Sequence, residues 1–397
     1  MKEWVLRGHQ VTVLTGYPNY PSGEVFPEYK KNPTRYGWFD GVQVHRVPML
    51  ARASGSFRLG LNYLSFVLGA SLVGPRKLRD CRPDVIFVFE PSPVTVGLPA
   101  VLLGRLKRCP VVFWALDLWP ETLAAFGVIR SPMPLGAVAL IVRFIYNRCT
   151  LVLGQSLSFL PQIANYCDDT SKVRYFPSWA EDIFQHQLNE PVSEIPSAPG
   201  TFSILFAGNV GDAQDFPTIL GAADCLKHRH DIRWLIVGDG RRSSWVAEQV
   251  KTRGLQERVL LLGRYEVERM PAFYAQADAL LVTLKKDPTF SMTIPGKVQS
   301  YLAAGRPIIG MLDGEGADVI LRAGAGLVCP AGDSEGLAQT VQRLVNMPPN
   351  ERQRMGQNGQ AYAKAEFDRN TLVSRLLSLL EESISLYQQR IFHKAKL

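Results

Sequence analysis

The sequence has no Cys-x-x-Cys pair, and no histidine cluster accompanies its six cysteines (Cys81, Cys109, Cys149, Cys167, Cys225 and Cys329). Zinc-site spacing is therefore absent, and scattered cysteines of this kind read as small buried hydrophobes in a reducing compartment. No stretch reaches the ~20 consecutive apolar residues that a bilayer-spanning helix needs, and no secretory signal opens the chain. A cytoplasmic location is the expectation. Dense Lys/Arg runs interleaved with aromatics are missing too, which argues against nucleic acid as a partner. The dinucleotide fingerprint G-x-G-x-x-G does not occur, which disfavours a nicotinamide dehydrogenase.

What is present is a 397-residue chain with 46% apolar and 20% charged residues, the balance of a globular protein. That length exceeds one ordinary core and predicts two or three domains. The formal charge of +8 favours anionic partners such as phosphates and acidic lipid headgroups. The pattern divides into two α/β halves joined by a polar, Pro-rich stretch near 187–200.

In the first half, Met1–Arg7 reads as a helix end closed by Gly8, followed at once by a strand over Gln10–Leu14. A parallel α/β sheet normally opens with a strand and a glycine-rich turn before such a helix. The expectation is that this start lies upstream or that the sheet lacks its first strand. Asp40-Gly41 sets up a hairpin into the alternating strand Val42–Val47. Unbroken apolar runs at 84–89 and 110–114 predict buried parallel strands. Leu59–Gly74 and Leu135–Tyr146 are apolar helices, the first flanked by Arg52, Arg58, Arg76, Lys77 and Arg79. They suit either a core or a peripheral membrane face.

The second half repeats a strand–glycine–helix rhythm. Strands are predicted at 202–206, 234–237, 259–262, 279–282, 307–310 and 326–329, with helices at 216–228, 243–253, 267–276 and 296–303. Six βα units in order predict a doubly wound sheet, and 372–390 a long final helix.

Ligands of open α/β sheets sit beyond the carboxyl ends of the strands, where helix N-termini present unpaired N–H groups. Gly208-Asn209, Gly238-Asp239-Gly240 and Gly263-Arg264 occupy such ends. Tight turns that need positive φ are the alternative reading of each glycine. A sharper element is Ser291-Met-Thr-Ile-Pro295-Gly296-Lys297-Val-Gln-Ser300-Tyr301, in which Pro295 and Gly296 open a helix. Free N–H groups, the helix dipole and Lys297 together suit a diphosphate. A plain capped helix is the alternative. Lys285 and Lys286 read equally as helpers of that site or as a solvated pair.

The ordered set Pro177-Ser-Trp-Ala-Glu, Phe206-Ala-Gly-Asn, Ile236-Val-Gly-Asp-Gly, Leu262-Gly-Arg, Ala277-Asp-Ala, Pro295 to Pro307 and Ala325-Gly-Leu resembles GT-B glycosyltransferases of the family-4 type. Leu14-Thr-Gly-Tyr-Pro-Asn-Tyr-Pro21 and Asp117-Leu-Trp-Pro-Glu121 look like signatures of its WbuB-like and colanic-acid subgroup. The resemblance spans nearly the whole chain.

It implies two Rossmann-like doubly wound domains facing a cleft. Residues 1–185 would bind the acceptor and 200–372 the nucleotide sugar, with 373–397 a helix packing back on the first domain. The implied reaction is retaining transfer from a nucleotide-diphosphate sugar, UDP-linked in many relatives. The acceptor would be polyprenyl-diphosphate-linked or a saccharide, in bacterial surface polysaccharide, lipopolysaccharide or O-antigen assembly. No D-x-D tripeptide occurs, so no metal and no cofactor are expected, and helix N–H groups with Lys297 would meet the leaving charge. Asn209, Gln214, Gly238, Asp239, Gly240, Arg264, Tyr265, Thr293, Pro295, Gly296 and Ser300 are the implied donor contacts, with Arg264 and Tyr265 where relatives place the base. The family's paired glutamates fall here on Met292 and Ser300, and its usual Arg and Lys on Asn209 and Gln214. Asp117 is the candidate base near the acceptor hydroxyl, or else a cap of the following helix. Alternatives are an inactive membrane-associated subunit of the same fold and a nucleotide-sugar 2-epimerase.

Overall fold

The computed structural model describes residues 1–19, 23–51, 56–125, 127–129, 131–185 and 192–396. Tyr20 and Pro21 of the first-half signature, Arg52 among the flanking basic residues and part of the polar connecting stretch lie outside them. Two compact units form. One contains Met1–Gln155, Phe159–Phe176 and Val373–Leu397, and the other Ser156–Ser158 and Pro177–Leu372.

The first unit holds two sheets. In the smaller, β1 (Thr12–Gly16) lies parallel to β3 (Val42–Val47), which pairs antiparallel with β2 (Trp38–Phe39). Asp40 and Gly41 turn between β2 and β3, both at positive φ, the conformation Asp and Gly adopt most readily in tight hairpins. The larger sheet is parallel, in the order β4 (Ile86–Glu90), β5 (Val111–Ala115), β6 (Leu151–Gly154) and β7 (Val173–Tyr175). All residues of β5 and β6 are buried, as their unbroken apolar runs require. Trp114 Nε1 donates to the Phe176 carbonyl at 3.0 Å, so this large buried ring keeps its polar end satisfied.

The final helix, Arg369–Lys396, buries Val373, Leu376, Leu380 and Ser383 at helical spacing. Within the first unit, Glu382 pairs with Arg174 at 2.9 Å and Arg375 donates to the Tyr175 carbonyl. These contacts fasten the helix along β7.

The second unit is one six-stranded parallel sheet ordered β10-β9-β8-β11-β12-β13. Its strands are β8 (Phe202–Ala207), β9 (Ile232–Val237), β10 (Val259–Gly263), β11 (Ala279–Thr283), β12 (Ile308–Met311) and β13 (Gly326–Cys329). Period-2 alternation on central β8 sends Leu205 and Ala207 into one core, and Phe202, Ile204 and Phe206 into the other. Both faces are thus covered by helices, as a doubly wound sheet demands. The order reverses between β8 and β11, the position where such sheets open a crevice at their carboxyl ends.

A helix over Pro349–Glu366 has no counterpart in the sequence-based expectation. Its buried residues are only Gly356, Gly359 and Ala363, so it shows no apolar stripe. It packs on the helix Gly296–Ala304, and Gln360 donates to the Ala303 carbonyl. Four cysteines are buried, Cys81 is partly buried and Cys225 is exposed, so burial does not account for all six.

Candidate functional site

In the second unit Asn209, Gln214, Gly238, Asp239 and Lys297 are linked to the carboxyl end of β8, whereas Arg264 and Tyr265 follow β10, two strands away. The chain leaves β8 through Gly208 (φ 134°) and leaves β9 through Gly238 (φ 144°). A Cβ on Gly238 would stand 1.8 Å from the Gly208 carbonyl oxygen, and one on Gly208 would stand 2.6 Å from Lys297 Cε. Only glycine combines these φ values with such close approach. The two turns are laced by Gly208 N–H to the Val237 carbonyl (2.8 Å), Val210 N–H to Asp239 (3.0 Å) and Gly238 N–H to Gly263 (2.7 Å).

Asp239 serves its own turn. Its carboxylate accepts from Gly240 N–H at 2.7 Å, and the Ser243 hydroxyl holds its pKa below the usual value. Gly240 N–H also reaches Ser243 Oγ at 2.8 Å. Asn209 Nδ2 donates to Gln214 Oε1 at 3.4 Å. Gln214 is tied by its carbonyl to the Thr283 hydroxyl at the end of β11 (2.6 Å). Arg264 is exposed, and Tyr265 packs on Phe273 at 4.8 Å with Arg269 over its ring. Lys285 and Lys286 are exposed.

The helix Gly296–Ala304 begins at Pro295, and no side chain caps it. Val298 N–H turns back to the Pro295 carbonyl at 2.8 Å, which leaves the N–H groups of Gly296 and Lys297 for solvent or a ligand. Thr293 and Ser300 spend their hydroxyls on the Thr289 and Gly296 carbonyls, at 3.3 and 3.2 Å. Met292 offers its carbonyl to Ser156 Oγ at 2.5 Å.

Tyr301 decides where this helix sits. Its buried hydroxyl accepts from Ala207 N–H at 3.0 Å and donates to the Ala207 carbonyl at 3.3 Å. That pair of hydrogen bonds fixes the helix to the residue before Gly208 and brings Lys297 under the turn. Lys297 Nζ lies 3.6 Å from the centroid of Phe206 and, among the described residues, has no hydrogen-bond partner. Burial lowers its pKa to about 7. An enclosed, unpaired cation at an uncapped helix N-terminus is an arrangement that gains from a bound anion. Sequence reasoning did not assign Tyr301 or Phe206 a part in it. Tyr301 lay inside the quoted motif, and its spacing four residues after Lys297, a similar angular position on one helix, was the signal available.

Asp117 belongs to the first unit and follows β5. Its backbone N–H points at Glu90 Oε2 at 3.5 Å, and Gln155 Nε2 holds the neighbouring Leu116 carbonyl at 3.0 Å. Burial pushes the Asp117 carboxyl up to about 6. Glu90, at the end of β4, is fully buried with Oε1 unpartnered. Burial, and then the charge of Asp117, push its carboxyl well above the usual range. Two adjacent strand ends thus hold carboxyl groups that bind their protons more tightly than in water, Glu90 the more strongly. Glu90 was not singled out from sequence, where it reads as one residue of an apolar run.

Among the described residues no three of His, Cys, Asp and Glu gather as metal ligands, and no helix is long and apolar enough to cross a membrane.

Comparison with known proteins places both units. Residues 1–179 match the family model described as glycosyl transferase 4-like domain, and residues 201–347 that of glycosyl transferases group 1. The colanic acid biosynthesis glycosyl transferase WcaI of Escherichia coli strain K12 is 26% identical over 318 residues, covering 77% of this chain and 76% of the relative. A glycosyltransferase structure from Rickettsia africae superposes with a TM-score of 0.70 at 14% identity, over 96% of this chain and 92% of the other. HepE of Anabaena in complex with UDP gives 0.67 at 14% identity, over 94% and 100%. The fold is that of the GT-B glycosyltransferases.

Proposed function

We propose that this chain, which belongs to the glycosyltransferases through both of its units, transfers a sugar from a UDP-linked donor to an acceptor of bacterial surface polysaccharide assembly. The observation that carries the donor half is Lys297, enclosed and unpaired at the uncapped start of Gly296–Ala304 beside the Gly208 and Gly238 turns. A diphosphate entering there would accept from the first helix N–H groups and draw the ammonium off the Phe206 ring. The same contacts would stabilise the negative charge that grows on the leaving diphosphate, without a metal. Exposed Arg264 and half-buried Tyr265 would bound the base, and Asn209, Gln214 and the Asp239–Gly240 turn the ribose and sugar. HepE, a structural neighbour, was solved with UDP.

The acceptor is assigned to the first unit, with Asp117 as the group that receives the proton of the attacking hydroxyl. Its carboxyl, raised to about 6, is mostly ionised at neutral pH yet basic enough to act there. A retaining outcome is proposed with it. The polysaccharide role is supported by the colanic acid relative.

A peripheral place on the inner leaflet is part of this reading. The helix Ser56–Leu72 exposes Leu61, Leu64, Leu68 and Leu72 along one face, and Pro132–Arg148 exposes Met133, Leu140 and Phe144. Arg58, Arg76, Lys77 and Arg79 are exposed at the ends of the first stripe. Apolar stripes with basic flanks suit an anionic interface.

The test of the donor half is thermal stabilisation by UDP, GDP and their sugars. UDP should raise the melting temperature by several degrees, and Lys297→Ala should remove most of that rise. An equal rise in Lys297→Ala would refute the diphosphate site.

A further inference from the structure

The first unit carries a basic arrangement of its own, whose parts are far apart in sequence. A cleft of about 440 Å³ opens beyond the end of β1, bounded by Tyr17, Tyr29, Lys30, Arg46 and Lys77. Three cations face it, and among the described residues no carboxylate lines it. Among the described residues, none of the three forms an ion pair with an acid. Glu24 and Glu28, on the segment that supplies Tyr29 and Lys30, are exposed and stand outside the lining.

Arg46 is the organised member. One guanidinium nitrogen donates to the Gly16 carbonyl at 3.3 Å, and the group lies 5.4 Å from the Tyr29 ring centroid. Tyr29 is itself braced by Tyr17 at 5.6 Å and Tyr36 at 5.9 Å. Arg46 Nε is enclosed and has no acceptor among the described residues. A planar fork held on an aromatic support, with donors to spare, is the geometry that recognises phosphate oxygens. Tyr17 and Tyr29 add hydroxyl donors at the same wall. The field is positive beyond the cleft edge too: Lys77, second to burial, holds the His45 imidazole below its usual pKa.

We propose that this cleft binds a phosphate- or diphosphate-bearing ligand through Arg46, Lys77, Lys30 and the two tyrosine hydroxyls. The placement deepens the function above and rests on it in one respect: in the acceptor unit, such a site selects an acceptor that carries its sugar on a diphosphate. An anionic lipid headgroup has the same chemistry and is the other source.

Binding is measured by calorimetry with the full chain carrying Lys297→Gln, which removes the proposed donor contact. The probes are inorganic pyrophosphate, a short soluble prenyl diphosphate, and vesicles of phosphatidylglycerol in phosphatidylcholine. Both small diphosphates should bind in this background, and adding Arg46→Gln or Lys77→Gln should weaken them tenfold or more. Lys77 and Lys30 are exposed, so Lys77→Gln and Lys30→Gln keep the test valid should Arg46→Gln fold poorly. Arg46→Lys should recover only part of the loss, because a point charge lacks the fork. If only the anionic vesicles respond, and they respond to Arg46→Gln and Lys30→Gln as well as to Lys77→Gln, the site stands with a headgroup as its source; a vesicle response confined to Lys77→Gln belongs to the membrane face and overturns the cleft. If neither probe responds, the proposal is overturned. UDP stabilisation of the Lys297-intact protein is read separately, so failure of the donor reading is distinguishable from failure here.

Discussion

Lys297 Nζ sits 3.6 Å from the centre of the Phe206 ring and, though enclosed by protein, has no hydrogen-bond partner among the described residues. Residues 91 positions apart in sequence (297 minus 206) thus share one face of the β8 turn. A cation over an aromatic face recovers part of the hydration it has lost, on the order of 2 kcal/mol when desolvated, and less than a paired anion supplies. The resting site is therefore poised toward an anion.

That poise has a pH signature. With its pKa lowered to about 7, Lys297 is charged in both folded and unfolded chains below that value. Between about 7 and the ordinary lysine value near 10.4 only the unfolded chain holds the proton, so folding stability rises with pH there, by up to about 1.4 kcal/mol per unit from this group. Lys297→Met should flatten that rise relative to the parent in denaturant titrations at pH 7, 8 and 9. Parallel curves for the two proteins would contradict the buried, unpaired ammonium.

Tyr301→Phe removes one hydroxyl and leaves the N–H and C=O of Ala207 without their partner. A loss of about 1–3 kcal/mol in unfolding free energy is expected. UDP affinity should fall as well, because the helix start and Lys297 lose their tether to β8. A variant that is less stable but binds UDP normally would show that the tether does not position the site.

Asp117, raised to about 6 by burial, binds its proton more tightly folded than unfolded. Stability from this group is greatest below about 4 and is lost as pH rises toward 6, so Asp117→Asn should be the more stable protein at pH 7, by about 1–3 kcal/mol. If Asp117 is the base, the same variant should lose 10²–10⁴-fold in turnover. Parent activity should climb through pH 6. A stable Asn variant with unchanged turnover would leave Asp117 structural.

Leu64 and Leu68 are exposed on the helix Ser56–Leu72 at 54% and 52%. Replacing both with Glu should abolish sedimentation with phosphatidylglycerol vesicles while leaving thermal stability unchanged within about 0.5 kcal/mol, as for substitutions that touch no core. Charge reversal at Arg58, Arg76 and Lys77 should do the same. Retained vesicle binding in both would remove the membrane reading.

Much of the second unit was legible because its signals are local. The strands from β8 to β13 are short, largely apolar runs, several of them ended by glycine, and the helix Gly296–Ala304 starts where Pro295 permits and stops at Gly305 in the left-handed region. The helix Pro349–Glu366 was not legible, since packing through Gly356, Gly359 and Ala363 leaves no apolar period to detect. Glu90 was hidden for the opposite reason, a single acid closing an apolar strand whose neighbour only the sheet reveals.

The sequence by itself determined two α/β halves, a doubly wound sheet in the second, and a positively charged diphosphate candidate at Lys297. These follow from periodicity and turn chemistry, which act over a few residues. Tertiary structure alone decided that Tyr301 grips Ala207, that Lys297 rests on Phe206, and that Arg46 meets Tyr29 beside Lys77. Burial, unmet hydrogen bonds and pKa shifts depend on which distant side chains close around a group, and no local pattern encodes that.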